Sequence, residues 1–317
     1  MRWRADAPTR FRLCSLRSLF TITIMRTVLQ ELTNLLALER LSDDTFRGQS
    51  QDLGWGTVFG GQVLGQALSA AQQTVPLDRA AHSLHGYFLR SGRVDAPIEY
   101  EVDRIRDGRS FTTRRVVARQ GDRAIFNLAA SFQIEEDGCS HQAAAPEVAG
   151  PEGLFSEREL ALRFVEAIPK RLRERATGER PIEIRPVRPV NPVKPDVREP
   201  VKHVWLRAID SLGDDMALHR YLLAYASDFH FLTTALQPHG LSWMTRGLQL
   251  ASLDHSMYFH RPFRFDEWLL YAIDSPSSSG SRGLVRGQLF NREGLLVASC
   301  VQEGLMRQRE EPSRVSD

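Results

Sequence analysis

The chain is poor in cysteine. Its three cysteines, Cys14, Cys139 and Cys300, lie far apart, are odd in number and include no C-x-x-C pair. That excludes a disulfide framework and a zinc site of the usual spacing, and it fits a reducing compartment, the cytoplasm. An excess of one charge is also missing. Forty-one basic residues against 39 acidic ones leave +2, a balance that argues against a nucleic-acid binder working through a basic patch. Long apolar runs are absent too. The longest candidate, Leu19 to Met25, has seven residues including two threonines, whereas a bilayer span needs about 20, so no membrane insertion is expected. Lysine is confined to Lys170, Lys194 and Lys202, leaving 38 arginines, and no function follows from that excess. Nucleophile elbow, Walker loop, H-E-x-x-H and dinucleotide fingerprint are all lacking.

What is present suffices for a large core. The 317 residues are 42% apolar and 25% charged, a length that suits two domains. Residues 1–24 are rich in arginine, carry one acid (Asp6) and stand apart from the rest. They read as a transit peptide or as an extension ahead of a natural start at Met25, non-native-looking or disordered, and are set aside from the fold. From Met25 to about Leu41 apolar residues recur at helical spacing, and Phe59-Gly60-Gly61-Gln62 opens a second helix to about Ala71. Strand-like runs follow at Ile98–Ile105, Phe111–Arg119 and Ala124–Ile134, with Asp107-Gly108 and Gly121-Asp122 between them as hairpin turns. A helix followed by an antiparallel meander is an α+β pattern. Glu157 to Ala176 reads as one amphipathic helix, and the six prolines from Pro181 to Pro200 predict an extended stretch, at most an edge strand.

The later part repeats the earlier one. Tyr87-Phe88 matches Tyr258-Phe259, and Arg90, Asp95 and Tyr100 recur at the same offsets as Arg261, Asp266 and Tyr271. Ala130-Ser131-Phe132-Gln133 answers Ala298-Ser299-Cys300-Val301-Gln302. This is an internal duplication, each copy with one helix ahead of its sheet. The expected division is 1–24 extension, 25–136 first repeat, 137–180 linker with helix, 181–308 second repeat carrying the active site, and 309–317 tail.

Breaks in alternation mark candidate chemistry. In the strand from Gly294, Leu296, Ala298 and Cys300 share a face that Gln302 closes, and Ser252 ends the face of Leu248 and Leu250. Buried polar groups need partners, and Asp228, in Ser227-Asp228-Phe229-His230, is the ionisable candidate. It stands at an expected helix start, where the dipole favours the ionised form and where a plain N-cap is the competing reading. Gly60-Gly61 at the opening of the second helix offers backbone N–H groups to an anion or a carbonyl oxygen, or simply allows close packing. His82, His85 and His230 are alternative bases, each also readable as structural, and His82 is carried forward as the candidate. His255 and His260 lie five apart on opposite faces and are not a metal pair.

FRGQSQDLG, VFGGQVLGQAL, RDGRSF, YASDFHFL, LQPHG, SLDHSMYFHRPF, EWLLY and LVASCVQEGLMR together resemble the acyl-CoA thioesterase II family of double-hotdog enzymes, from about Met25 to Arg307. The resemblance implies tandem hotdog repeats, each a long antiparallel sheet wrapped around a central helix. It implies acyl-CoA hydrolysis in fatty acid and lipid metabolism, by direct attack of an activated water. The family's aspartate, hydroxyl and glutamine fall on Asp228, Ser252 and Gln302, with serine where threonine is more frequent. Asp228 would be the general base, Ser252 and Gln302 would hold the water, and Gly60 and Gly61 would offer oxyanion donors. No cofactor and no metal is expected. Partners would be acyl-CoA and further copies of the chain, as a dimer or tetramer. Aligning Phe59 with Phe229 puts Val58 opposite Asp228, so one working site is expected, in the second repeat. The alternatives are a hotdog enoyl-CoA hydratase, whose D-x-N-P-x-H spacing is absent after Asp228, and a non-catalytic acyl-CoA binding protein.

Overall fold

The computed structural model describes residues 26–308. The extension 1–24, Met25 as a start, Cys14 and the tail 309–317 lie outside the described residues.

In chain order the elements are α1 (Thr27–Leu36), β1 (Glu39–Arg40), β2 (Thr45–Gly48), α2 (Gly60–Gln72), β3 (Arg79–Phe88), β4 (Ile98–Asp107), β5 (Phe111–Gln120) and β6 (Arg123–Ile134). Then come α3 (Glu157–Arg163), α4 (Lys170–Thr177), β7 (Ile182–Pro186), β8 (Val201–Ala208), α5 (Met216–Ser227), α6 (Phe231–Leu236), β9 (Leu248–Ser252), β10 (Asp254–Phe259), β11 (Leu269–Ser279), β12 (Arg282–Phe290) and β13 (Leu296–Gln308). Among the described residues 13 strands form one antiparallel sheet ordered β1-β2-β4-β5-β6-β3-β10-β13-β12-β11-β8-β7, with β9 added on β13. Proline-bearing β7 sits at the end of that order, where a missing amide costs no ladder bond.

The halves meet at β3 and β10, and the register there carries the duplication. Phe88 and Phe259 are 171 positions apart, as are His85 and Ser256, which pair directly. On either side Tyr258 pairs with Ser83 and Asp254 with Tyr87. Each flanking pair is thus the other with its two members exchanged between repeats, which is the signature of an approximate two-fold axis through His85 and Ser256. The repeated tyrosines behave alike. Tyr100 and Tyr271 are fully buried, and each turns its hydroxyl toward a central helix, to Gln66 Oε1 at 2.7 Å and to the Ser227 carbonyl at 2.8 Å.

α2 is enclosed on every side, with Gly61 through Ala71 buried, so it lacks the polar stripe of a surface helix. Its two buried glutamines saturate the backbone around it: Gln62 Nε2 donates to the Gln49 carbonyl at 2.9 Å and Gln66 Nε2 to that of Leu35 at 2.7 Å. Against it lies α5, and the approach is close enough that a Cβ on Gly61 would collide with the Tyr225 carbonyl oxygen. Leu64, Leu68, Leu222 and Leu223 are completely buried at and around this junction, each worth about 2 kcal/mol relative to exposure.

Two elements differ from the sequence reading. The helix expected over Glu157–Ala176 is broken into α3 and α4, because Pro169 removes a donor and stands as N-cap of α4. The second repeat has two helices ahead of its central strands, α5 and α6, separated by His230 in the left-handed conformation with φ 63°.

Candidate active site

Asp228 follows α5 directly as its C-cap, with φ −81° and ψ −12°. The expected helix start at this residue is therefore corrected: Asp228 sits at the end of α5, where the dipole disfavours a carboxylate. The helix N-terminus that meets it belongs to α2 in the other repeat, whose Gly61 N–H donates to Asp228 Oδ2 at 2.9 Å. Gly60 is equally confined, since a Cβ there would fall 2.8 Å from the same oxygen.

Ser252, at the end of β9, and Gln302, in the middle of β13, reach the carboxylate from the sheet. Both side chains lie near enough to Asp228 to lower its pKa as hydrogen-bond donors, and Gln302 Nε2 donates to Ser252 Oγ. The alternation expected for β13 holds from Ala298 onward, with Ala298, Cys300, Gln302 and Gly304 buried and Ser299, Val301 and Glu303 only partly so, while Leu296 and Val297 are both buried. Burial pushes the Asp228 carboxyl up, and the donors Gln302, Gly61 and Ser252 pull it back, so that its pKa stands at about 6. The residue as a whole is partly buried. A partly desolvated carboxylate ringed by three donors, with a pKa just below neutrality, is suited to accept a proton from a bound hydroxyl or water.

The other sequence candidates fall elsewhere. Gly61 offers no free donor to an oxyanion, because its N–H is engaged by Asp228. His82 is hydrogen-bonded through Nε2 to Ser131 at 2.8 Å and lies edge-on to Phe111, so the structure does not bring it into the Asp228 cluster. His85 bonds Ser256 at 3.1 Å, and His230 Nε2 is 3.1 Å from Glu157 Oε1. The expected match of Gln133 to Gln302 is corrected by the strand registers: Gly86 pairs with Leu128 as Met257 pairs with Cys300, so Ala130 holds the equivalent place, and Gln133 donates to Glu136 at the surface. Phe59 and Phe229, equated by the repeat alignment, stack on each other with centroids 4.6 Å apart. Among the described residues no group of three or more His, Cys, Asp or Glu is arranged to hold a metal ion. Cys300 is an inert thiol, pushed up to about 12 by burial and lying 3.0 Å from the Tyr271 hydroxyl.

One neighbour escaped the sequence reading. His255 is fully buried beside Gln302, with Nδ1 3.2 Å from Gln302 Oε1 and Nε2 3.0 Å from Ser227 Oγ. It shares a face of β10 with buried Met257 and Phe259. A polar residue on an apolar parity, the criterion that flags Gln302, would have found it.

The doubled sheet enclosing central helices is the hotdog architecture, and comparison with known proteins defines the class further. Residues 171–305 match the model of the acyl-CoA thioesterase family, and residues 50–133 match that of the acyl-CoA thioesterase N-terminal domain. The chain is 42% identical over 283 residues to acyl-CoA thioesterase 2 of Haemophilus influenzae, covering 89% of this chain and 99% of that protein. It is 42% identical over 291 residues to acyl-coenzyme A thioesterase 8 of Homo sapiens, covering 89% and 90%. The crystal structure of an acyl-CoA thioesterase II, TesB2, from Mycobacterium marinum superimposes with a TM-score of 0.71 at 40% identity, covering 88% of this chain and 99% of that one. The chain belongs to the acyl-CoA thioesterase family and has its tandem hotdog fold.

Proposed function

We propose that this protein hydrolyses acyl-CoA to a free fatty acid and CoA, with Asp228, Ser252 and Gln302 as the catalytic residues. The observation that carries the reading is the grouping of the hydrogen-bonded pair Gln302–Ser252 beside a carboxylate that the Gly61 amide holds. Water held by Asp228, Ser252 and Gln302 attacks the thioester carbonyl carbon while Asp228 takes its proton. The oxyanion so formed needs backbone donors. Since Gly61 is engaged, Gly60 remains the candidate of the pair. Collapse of the tetrahedral species breaks the C–S bond, the CoA thiolate leaves, and the proton on Asp228 passes to it. No acyl-enzyme forms.

The repeats are assigned to 25–136 and 181–308, joined by 137–180, with the working site in the second and the first supplying the α2 terminus. Among the described residues no helix is long and apolar enough to cross a membrane. We assign the chain to the cytoplasm and to a homo-oligomer. Free-thiol release measured with acyl-CoA substrates from short to long chain tests the activity: turnover on at least one class is expected, and none on any would contradict it.

A further inference from the structure

We propose that His255 is a positioning residue, whose Nδ1–H donates to Gln302 Oε1 and so turns the Gln302 amide to present its NH2 group to Asp228 and Ser252. The inference rests on the reading of Asp228 and Gln302 given above.

An amide can face either way, and its partners decide which. Above pH 7 the Asp228 carboxylate is ionised and only accepts, so the end of Gln302 that meets it is the NH2 group. The reversed amide would set one acceptor against another. Gln302 Oε1 then faces His255 Nδ1 at 3.2 Å, and Nδ1 must carry a proton. In the opposite tautomer both atoms would be acceptors. His255 is completely buried, packed against the ring of Phe231 with centroids 5.6 Å apart, and burial lowers its pKa to about 4. The ring therefore holds one proton, and Nε2 is bare. The Ser227 hydroxyl faces Nε2 at 3.0 Å and can donate to it, its one proton shared with the Ala224 carbonyl at 2.8 Å. Ser227 is itself held through its carbonyl by Tyr271, and it immediately precedes Asp228. The path from Ser227 through His255 and Gln302 returns to the neighbour of its starting point, so the amide orientation is tied to the backbone that carries the base.

Without the imidazole the amide is free to turn, and Asp228 and the attacking water lose an aligned donor while substrate contacts stay in place. The expected signature is a loss in kcat with little change in KM. Loss of such a supporting partner typically costs about 10–100-fold. Asparagine places an amide nitrogen near the position of Nδ1, whereas leucine fills the volume with no donor.

The test measures steady-state acyl-CoA hydrolysis for His255→Leu and His255→Asn, each in the wild-type and Gln302→Ala backgrounds, with thermal melts to check folding. His255→Leu should lower kcat at least about tenfold, and His255→Asn should recover most of it. In the Gln302→Ala background His255→Leu should cost less than about twofold, because the group it positions is gone. Equal impairment by Leu and Asn, or an undiminished Leu effect without Gln302, would overturn the proposal. A Gln302→Ala enzyme with full kcat would remove the site reading and this inference together. The wild type supplies a measurement independent of variant folding: in nitrogen-15 histidine spectra His255 should be the Nδ1–H tautomer from pH 7 to 8, and an Nε2–H ring would overturn it.

Discussion

The Gly61 amide donates to the Asp228 carboxylate at 2.9 Å across 167 positions of sequence. The two residues belong to different repeats, so the N-terminus of one repeat's helix sets the charge of a group at the C-terminus of the other's. Neither half alone reproduces that environment.

The position of Asp228 between burial and three donors sets the pH response. With a pKa of about 6, the carboxylate becomes available as base as pH rises, so kcat/KM should rise through about pH 6 and level off above it. Gln302→Ala removes the side chain that lowers the value most and should move the midpoint of the remaining activity upward. A profile flat from pH 5 to 8 contradicts this.

The same shift makes Asp228 costly to the fold. Its folded-state pKa lies above the ordinary 3.8, so the folded protein binds more protons than the unfolded chain between these values and loses stability as pH rises through them. Asparagine relieves that cost. Asp228→Asn should be about 1–3 kcal/mol more stable than wild type at pH 7.5, with the difference vanishing below about pH 4. Urea melts at both pH values test it, and equal stability at pH 7.5 contradicts it.

Gly61→Ala should destabilise the protein, because its Cβ meets the Tyr225 carbonyl oxygen in α5. Overpacking of this kind costs about 1–3 kcal/mol. Gly56, where an added Cβ meets nothing within 4 Å, is the contrast, although its φ of 71° adds strain of its own. A chemical melt of Gly61→Ala coinciding with wild type contradicts the close approach.

A charged cluster braces the turn beside Asp228. Burial would push Glu157 up, but His230, Arg180 and Lys202 outweigh it and hold the carboxyl at about 2, while burial lowers the Lys202 ammonium to about 8. Glu157 has its folded pKa below the ordinary 4.5, so its contribution is complete above that pH and is lost as pH falls toward 2. Glu157→Gln should cost about 2–4 kcal/mol near neutrality by leaving Lys202 without its counter-charge, and much less at pH 3. A melt shows this, and a loss independent of pH would contradict it.

The local features were legible where periodicity alone determines structure. The α2 helix, the β4–β6 meander, the edge position of the Pro-rich β7 and the buried parity that carries Gln302 all follow from local sequence. The Tyr100 and Tyr271 offsets carried the duplication. What escaped depends on partners distant in sequence. Asp228 reads as a helix start because only local sequence is visible, yet its helix N-terminus comes from α2. Gly61 reads as a free donor for the same reason. Pro169 does stand in the sequence, and its break between α3 and α4 could have been anticipated. His255 was weighed for metal spacing rather than as a polar residue on an apolar face.

The most direct test of the whole account is kcat for Asp228→Asn on a good acyl-CoA substrate, measured by free-thiol release above pH 7.5. Asparagine still accepts from Gly61 but takes no proton from water, and general-base catalysis is worth about 10²–10⁴-fold. A fall in kcat of at least about a hundredfold, with the fold intact and KM little changed, is the predicted result. An Asp228→Asn enzyme that turns over at the wild-type rate would contradict it.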